Sequence, residues 1–95
     1  MDEKDFELFC TLDSTCNITY AAEQLHVSQS ALSKRIKMME KKLGVEIVLR
    51  SRQGICFTPA GKIILEHSRA AAHEMAQMRK ELERKYQKDQ EIFDY

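Results

Sequence analysis

The sequence predicts a mainly α-helical fold of three short helices and a two-stranded β hairpin, followed by one long helix. Three observations carry this reading. A capping residue stands ahead of each stretch with helical apolar spacing. A β-rich run at 46–50 is answered, across a turn at 51–54, by a second run at 55–57. From Pro59 onward nothing interrupts the helical pattern until past Tyr86.

Bulk properties bound the problem. With 95 residues the chain is the size of one small domain. Hydrophobic residues at 43% and charged residues at 32% fit an ordinary soluble domain. No apolar run approaches the ~18–20 residues of a membrane span, and Met1-Asp2-Glu3-Lys4-Asp5 is too acidic for a signal peptide. A cytoplasmic location and no membrane partner are therefore expected. Cys10, Cys16 and Cys56 show no paired spacing, and His26, His67 and His73 complete no zinc set. The thiols read as small hydrophobes, and no metal or cofactor is expected. There is no nucleophile–base pair or phosphate loop either, so no catalytic residue is nominated.

Formal net charge is zero, but its layout is uneven. Residues 1–16 carry five carboxylates against one lysine, and residues 17–58 carry seven Lys or Arg against three carboxylates. Residues 59–95 hold seven of each sign. An acidic head and a basic middle give the local positive patch that phosphate contacts need.

The elements follow in order. Asp2 can cap helix one, with Met1 stapled onto Phe6 and with Phe6, Phe9, Cys10 and Leu12 turned inward to about Asp13. A second helix runs from about Thr19 to Leu25, capped by Asn17 or Thr19, and only His26 and Val27 separate it from the next. Ser28 caps the third helix, 28–43. Leu32, Ile36, Met39 and Leu43 form its core stripe, and Gly44 closes it. Its opposite face holds Ser30, Ser33, Lys34, Lys37 and Lys41 and no carboxylate. A hairpin over 46–57 carries Arg50 and Arg52 at its tip, and Thr58-Pro59 opens the last helix, ~40 Å long at 1.5 Å per residue. Along it Ile64, Ala71, Met75, Met78 and Leu82 share a stripe that extends to Tyr86. So small a domain cannot cover a stripe of that length, which implies a partner helix. The tail 90–95 gives no signal of its own.

Two short helices joined by a tight turn, the second basic on its outer face, make a helix-turn-helix, and the hairpin makes it the winged form. A helix fits the major groove of double-stranded DNA, with its first turn at the base edges and later lysines at phosphates. Gln29, Ser30 and Ser33 stand where bases would be read, Ser28 at the helix start is counted with the DNA-binding residues, and Lys34 and Lys37 suit phosphates. Each of these residues has a plainer reading. A Ser/Lys stripe is most often a solvated face, Ser28 is most often only a cap, and hairpin arginines can be there for solubility. The order of elements and the absence of carboxylates on the stripe favour DNA.

The stretch Asn17-Ile18-Thr19-Tyr20-Ala21-Ala22-Glu23-Gln24-Leu25-His26-Val27-Ser28-Gln29-Ser30-Ala31-Leu32-Ser33-Lys34 resembles the signature of LysR-type transcriptional regulators. The likeness continues through Met39-Glu40, Leu43-Gly44-Val45 and Leu49 to Phe57-Thr58-Pro59-Ala60-Gly61, and covers roughly residues 5–75. The resemblance implies that Thr19, Gln29, Ser30, Ser33, Lys34 and Lys37 face DNA, with Arg50 and Arg52 in the wing near the backbone or minor groove. The uncovered stripe of the long linker helix is expected to pair two copies as a homodimer, which would set two recognition helices on an inverted-repeat operator. A small-molecule effector would act only through a C-terminal domain absent from this chain. Three positions depart from the pattern. Ser30 replaces the usual proline, Lys34 the usual arginine, and Ile47-Val48 the usual leucine-phenylalanine pair.

The expected division is 1–58 for the DNA-binding domain and 59–95 for the linker, dimerisation helix and tail. Two alternatives stay open on the residues alone: a winged helix used for protein contacts, and a winged DNA binder of another regulator family.

Overall fold

The computed structural model describes residues 1–87. Helix α1 spans Glu3–Thr15, α2 Ile18–Gln24 and α3 Gln29–Leu43, strands β1 and β2 span Val48–Ser51 and Gly54–Phe57, and α4 spans Pro59–Leu82. Glu83–Gln87 prolong α4 as a single π-helical turn. This is the mainly α winged helix-turn-helix with a long final helix. The tail 90–95 and the end of the 59–95 segment lie outside the described residues.

Local capping chemistry sets each helix start. Asp2 and Asp5 form a reciprocal capping box on α1, each carboxylate accepting the other's backbone N–H at 3.0 and 2.9 Å. Asn17, rather than Thr19, caps α2, with Oδ1 accepting from the amides of Thr19 and Tyr20. Ser28 and Thr58 cap α3 and α4 through their hydroxyls. Helix α1 closes on Cys16 at φ 52°, and the α2–α3 turn passes through His26 at φ 58°. These are left-handed conformations that cost a side-chain-bearing residue roughly 1 kcal/mol. In the second case the Leu25, His26 and Val27 amides are all paired with α2 carbonyls, so the tight turn leaves none of them orphaned.

The core gathers Leu8, Phe9 and Leu12 from α1, Ala21 and Ala22 from α2, and Leu32, Ile36 and Met39 from α3. Ile47, Ile55 and Leu65 close it from the hairpin side and from α4. Three expectations need correction. Leu8 is fully buried although it was not counted inside, while Phe6 and Cys10 are only half-buried and Met1 is exposed. Leu43 is exposed, because Gly44 turns the chain away one residue later and the stripe overruns the core. Strand β1 starts and ends later than the sequence suggested and β2 starts one residue earlier, enclosing a two-residue turn, Arg52-Gln53, between paired Ser51 and Gly54.

The shift of β1 has a cause in Ile47. Its N–H donates to the Glu40 carboxylate at 2.8 Å, and its carbonyl accepts the Thr58 amide at 3.0 Å. Ile47 thereby clasps the end of α3 to the start of α4 and leaves the strand ladder to Val48–Ser51. Two glycines make the close approaches around this frame. A Cβ on Gly61 would lie 2.0 Å from the Ile47 carbonyl oxygen, and one on Gly54, at φ 125°, would lie 2.3 Å from that of Cys16. The latter oxygen accepts the Ile55 N–H at 3.1 Å, fixing the wing to the α1–α2 junction.

The clasp at Ile47 predicts the behaviour of Gly61→Ala. Both obstructing atoms are backbone, so α4 has to shift, and overpacking of this kind costs ~1–3 kcal/mol. Urea unfolding should show a lower midpoint with an unchanged slope. A midpoint equal to that of the parent would mean that α4 and the Ile47 loop are not held this tightly.

Candidate nucleic-acid interface

Helix α3 presents its polar face outward, as its apolar spacing requires. Gln29, Ser30, Lys34 and Lys37 are exposed, and Ser33 is half-buried. The first turn is braced from α2, where the Thr19 hydroxyl donates to Gln29 Oε1 at 3.4 Å. Ser28 is occupied within the chain, its hydroxyl accepting from the Ala31 amide at 3.1 Å and sharing a hydrogen bond with Ser30.

The wing reaches this face directly. Arg50 leaves β1 and its Nη2 donates to Ser33 Oγ at 2.7 Å, joining the hairpin to the middle of α3. Arg52 stands in the exposed turn. The Thr19–Gln29 and Ser33–Arg50 pairs thus connect α2, α3 and β1 into one surface. A groove along α3 is lined by Ser30, Ser33, Lys34, Lys37, Met38 and Lys41, and no carboxylate borders it.

Behind this surface sits a residue the sequence reading passed over. Arg35 points away from the polar stripe and donates to Asp5 Oδ1 from Nη2 at 2.6 Å and from Nε at 3.2 Å, with Asp2 at 3.7 Å. The pair anchors α3 to the start of α1. Burial pushes the Asp5 carboxyl up, but the Asp2 backbone N–H and the Arg35 guanidinium outweigh it and hold it below the usual carboxylate range. The signal in the sequence was faint: an arginine at the edge of the Leu32/Ile36/Met39 stripe.

Along α4 the expected seam divides. Ile64 is half-buried against the domain's own core. Ala71 and Met75 are half-buried, while Met78 and Leu82 are each 46% exposed. The buried residues of α4 are instead Gly61, set against the Ile47 carbonyl, Leu65 and Ser68, and ion pairs from Arg69 to Asp13 and from Arg79 to Glu3 tie the helix to α1. Apolar spacing alone could not find a buried stripe built partly from glycine and serine.

Comparison with known proteins picks out the same helix-turn-helix. The model of the bacterial regulatory helix-turn-helix proteins of the lysR family matches residues 4–62. The chain belongs to the LysR family. It is 35% identical over 83 residues to an uncharacterized HTH-type transcriptional regulator, YkuM, of Bacillus subtilis, covering 87% of this chain and 28% of the relative. It is 32% identical to the nitrogen assimilation regulatory protein nac of Escherichia coli, over 81% of this chain and 25% of that protein. This LysR-family chain therefore spans about a quarter of the length of these relatives. Among solved structures, the CbnR DNA-binding domain in complex with DNA matches with TM-score 0.74 and 32% identity, over 88% of this chain and 95% of that one. Vibrio fischeri DarR bound to DNA matches with TM-score 0.79 and 30% identity, over 92% of this chain and 30% of that one. Among the described residues no helix is long and apolar enough to cross a membrane.

The Asp5–Arg35 anchor carries a pH signature. Because folding lowers the Asp5 pKa, the unfolded chain binds its proton more readily. The stabilisation is complete above the ordinary carboxylate range and is lost as pH falls through the folded pKa. Thermal melts of Asp5→Asn should show reduced stability at neutral pH and a shallower decline below about pH 4 than the parent shows. Parallel acid limbs for the two proteins would remove Asp5 from the groups that govern acid unfolding.

Proposed function

We propose that this chain is the DNA-reading part of a transcription regulator that grips double-stranded DNA with α3 in the major groove. The wing, residues 46–57, lies on the backbone or in the minor groove. The observation that carries this reading is the continuity of the surface. Thr19, Gln29, Ser30, Ser33, Lys34, Lys37 and Arg50 come from three elements, yet two side-chain hydrogen bonds tie them into one face without a carboxylate. A protein-docking winged helix has no need of such a face. The DNA complexes of CbnR and DarR, which share this fold, support the reading. The working location is the cytoplasm, where the DNA is.

Gln29, in the first turn, is the base reader, and Ser30 beside it replaces an apolar contact with a hydroxyl. Lys34 and Lys37 neutralise phosphates as flexible point charges, and Arg52 adds affinity at the wing tip. Residues 1–58 bind DNA. Residues 59–95 form a linker through which two copies pair, with Ala71, Met75, Met78 and Leu82 in the seam and Ile64 at its core-facing end. Such a homodimer sets two α3 helices for an inverted-repeat operator. A small-molecule effector would be read by a C-terminal domain rather than by this helix-turn-helix.

Salt titration tests the DNA reading. Binding to a random-sequence duplex should weaken steeply as salt rises, and Lys37→Ala should flatten the log–log slope by about 0.9 while weakening all sequences alike. Binding that ignores salt would return the fold to a protein-docking role.

The dimer is tested by sedimentation equilibrium on the Met75→Lys, Leu82→Lys double variant. Burial of large apolar side chains contributes ~1.5–3 kcal/mol each, and two-fold symmetry counts each residue twice. Two lysines in the seam should therefore give a folded monomer. A variant that stays dimeric places the partner surface elsewhere.

A further inference from the structure

We propose that Ser33 and Arg50 together form one phosphodiester seat that bridges α3 and β1. This rests on the DNA-binding reading above and sharpens it: Ser33 holds the backbone rather than a base, and Arg50 acts with it rather than as an independent wing charge.

The direction of the hydrogen bond is the starting point. Arg50 Nη2 donates to Ser33 Oγ at 2.7 Å. A hydroxyl that accepts from a guanidinium keeps its own proton free to donate, and its acceptor capacity is partly spent on a cation. Ser33 therefore offers a donor outward, beside a guanidinium whose remaining N–H groups are also donors. Converging donors with a positive charge select an anionic, acceptor-only ligand, which on DNA is a phosphate oxygen. The bond to Ser33 uses one of the five N–H donors of Arg50 and leaves the others for the same anion.

The surroundings agree. Arg50 and Arg52 both line a cleft of about 200 Å³ between the start of α2 and the wing, and no carboxylate lines it. On the other side of Ser33 the groove along α3 continues with Lys34 and Lys37. Ser33 is half-buried, unlike the exposed Gln29 and Ser30, so it is recessed relative to the residues that reach furthest from α3. A backbone held there would set the depth of α3 in the groove and leave base reading to the first turn.

A double-mutant cycle on fluorescence anisotropy with a random-sequence duplex tests the seat, using Ser33→Ala, Arg50→Ala, the double variant and Arg50→Lys, each checked for fold by circular dichroism. Each alanine variant should weaken binding by roughly tenfold, and the double variant should lose no more than about what Arg50→Ala loses alone. Arg50→Ala should also flatten the salt slope by about 0.9, whereas Arg50→Lys should keep the slope but recover only part of the affinity. On a duplex selected from a random pool, methylphosphonate replacement of single phosphates should cost the parent affinity at one position per half-site. The double variant should be indifferent at that position. Additive losses, or a Ser33→Ala variant that binds random duplex normally and relaxes preference at one base pair, would overturn the seat while leaving DNA binding intact. A parent chain that binds no duplex at all would overturn the DNA reading and the seat with it.

Discussion

Leu8, Phe9 and Leu12 lose essentially all contact with solvent, and α2, β2 and α4 all pack on α1. Side chains of this size contribute ~1.5–3 kcal/mol each on full burial, so three on one short helix make α1 the support on which the rest is arranged. What makes that support useful is where its edges are tied. The Cys16 carbonyl holds the wing, Asp5 holds α3 through Arg35, and Asp13 and Glu3 hold α4. Four of the five carboxylates of the acidic head, Asp2, Glu3, Asp5 and Asp13, are thus engaged by internal cations or in capping. The basic middle is left with its lysines turned outward, which is how a chain of zero net charge presents a positive face.

The outer face needs all these ties because no single element supplies it. Helix α3 alone would carry a Ser/Lys stripe like that of many solvated helices. It becomes a distinct surface when β1 brings Arg50 onto Ser33 and α2 brings Thr19 onto Gln29. Those placements depend in turn on Ile47, which uses its backbone to clasp α3 and α4 together and so decides where the hairpin begins. The serine at position 30 gives this face a polar first turn.

Helix starts were legible in the sequence because capping is local: Asp2, Asn17, Ser28 and Thr58 act within three residues of themselves. The buried side of α1 was less so. Phe6, Leu8, Phe9, Cys10 and Leu12 ring the helix with apolar groups, and only the neighbours decide that Leu8 goes fully inside. The buried side of α4 was hidden because Gly61 and Ser68 are small, and hydrophobicity does not register size. The basic residues of the candidate site could be read from α3 and the hairpin, but the Ser33–Arg50 bond spans 17 positions and follows from the bend of the wing. Arg35 was overlooked for a similar reason, its partner lying 30 positions away in the first turn of the chain.

On the proposed function, one face built from α2, α3 and β1 meets DNA while the acidic side of α1 does not. Amide chemical-shift mapping during titration with a short duplex addresses this most directly. The largest shifts should fall at Thr19, Gln29, Ser30, Ser33, Lys34, Lys37 and Arg50, with Glu3 and Glu7 unmoved. Shifts concentrated on α1, or spread evenly over the domain, would contradict it.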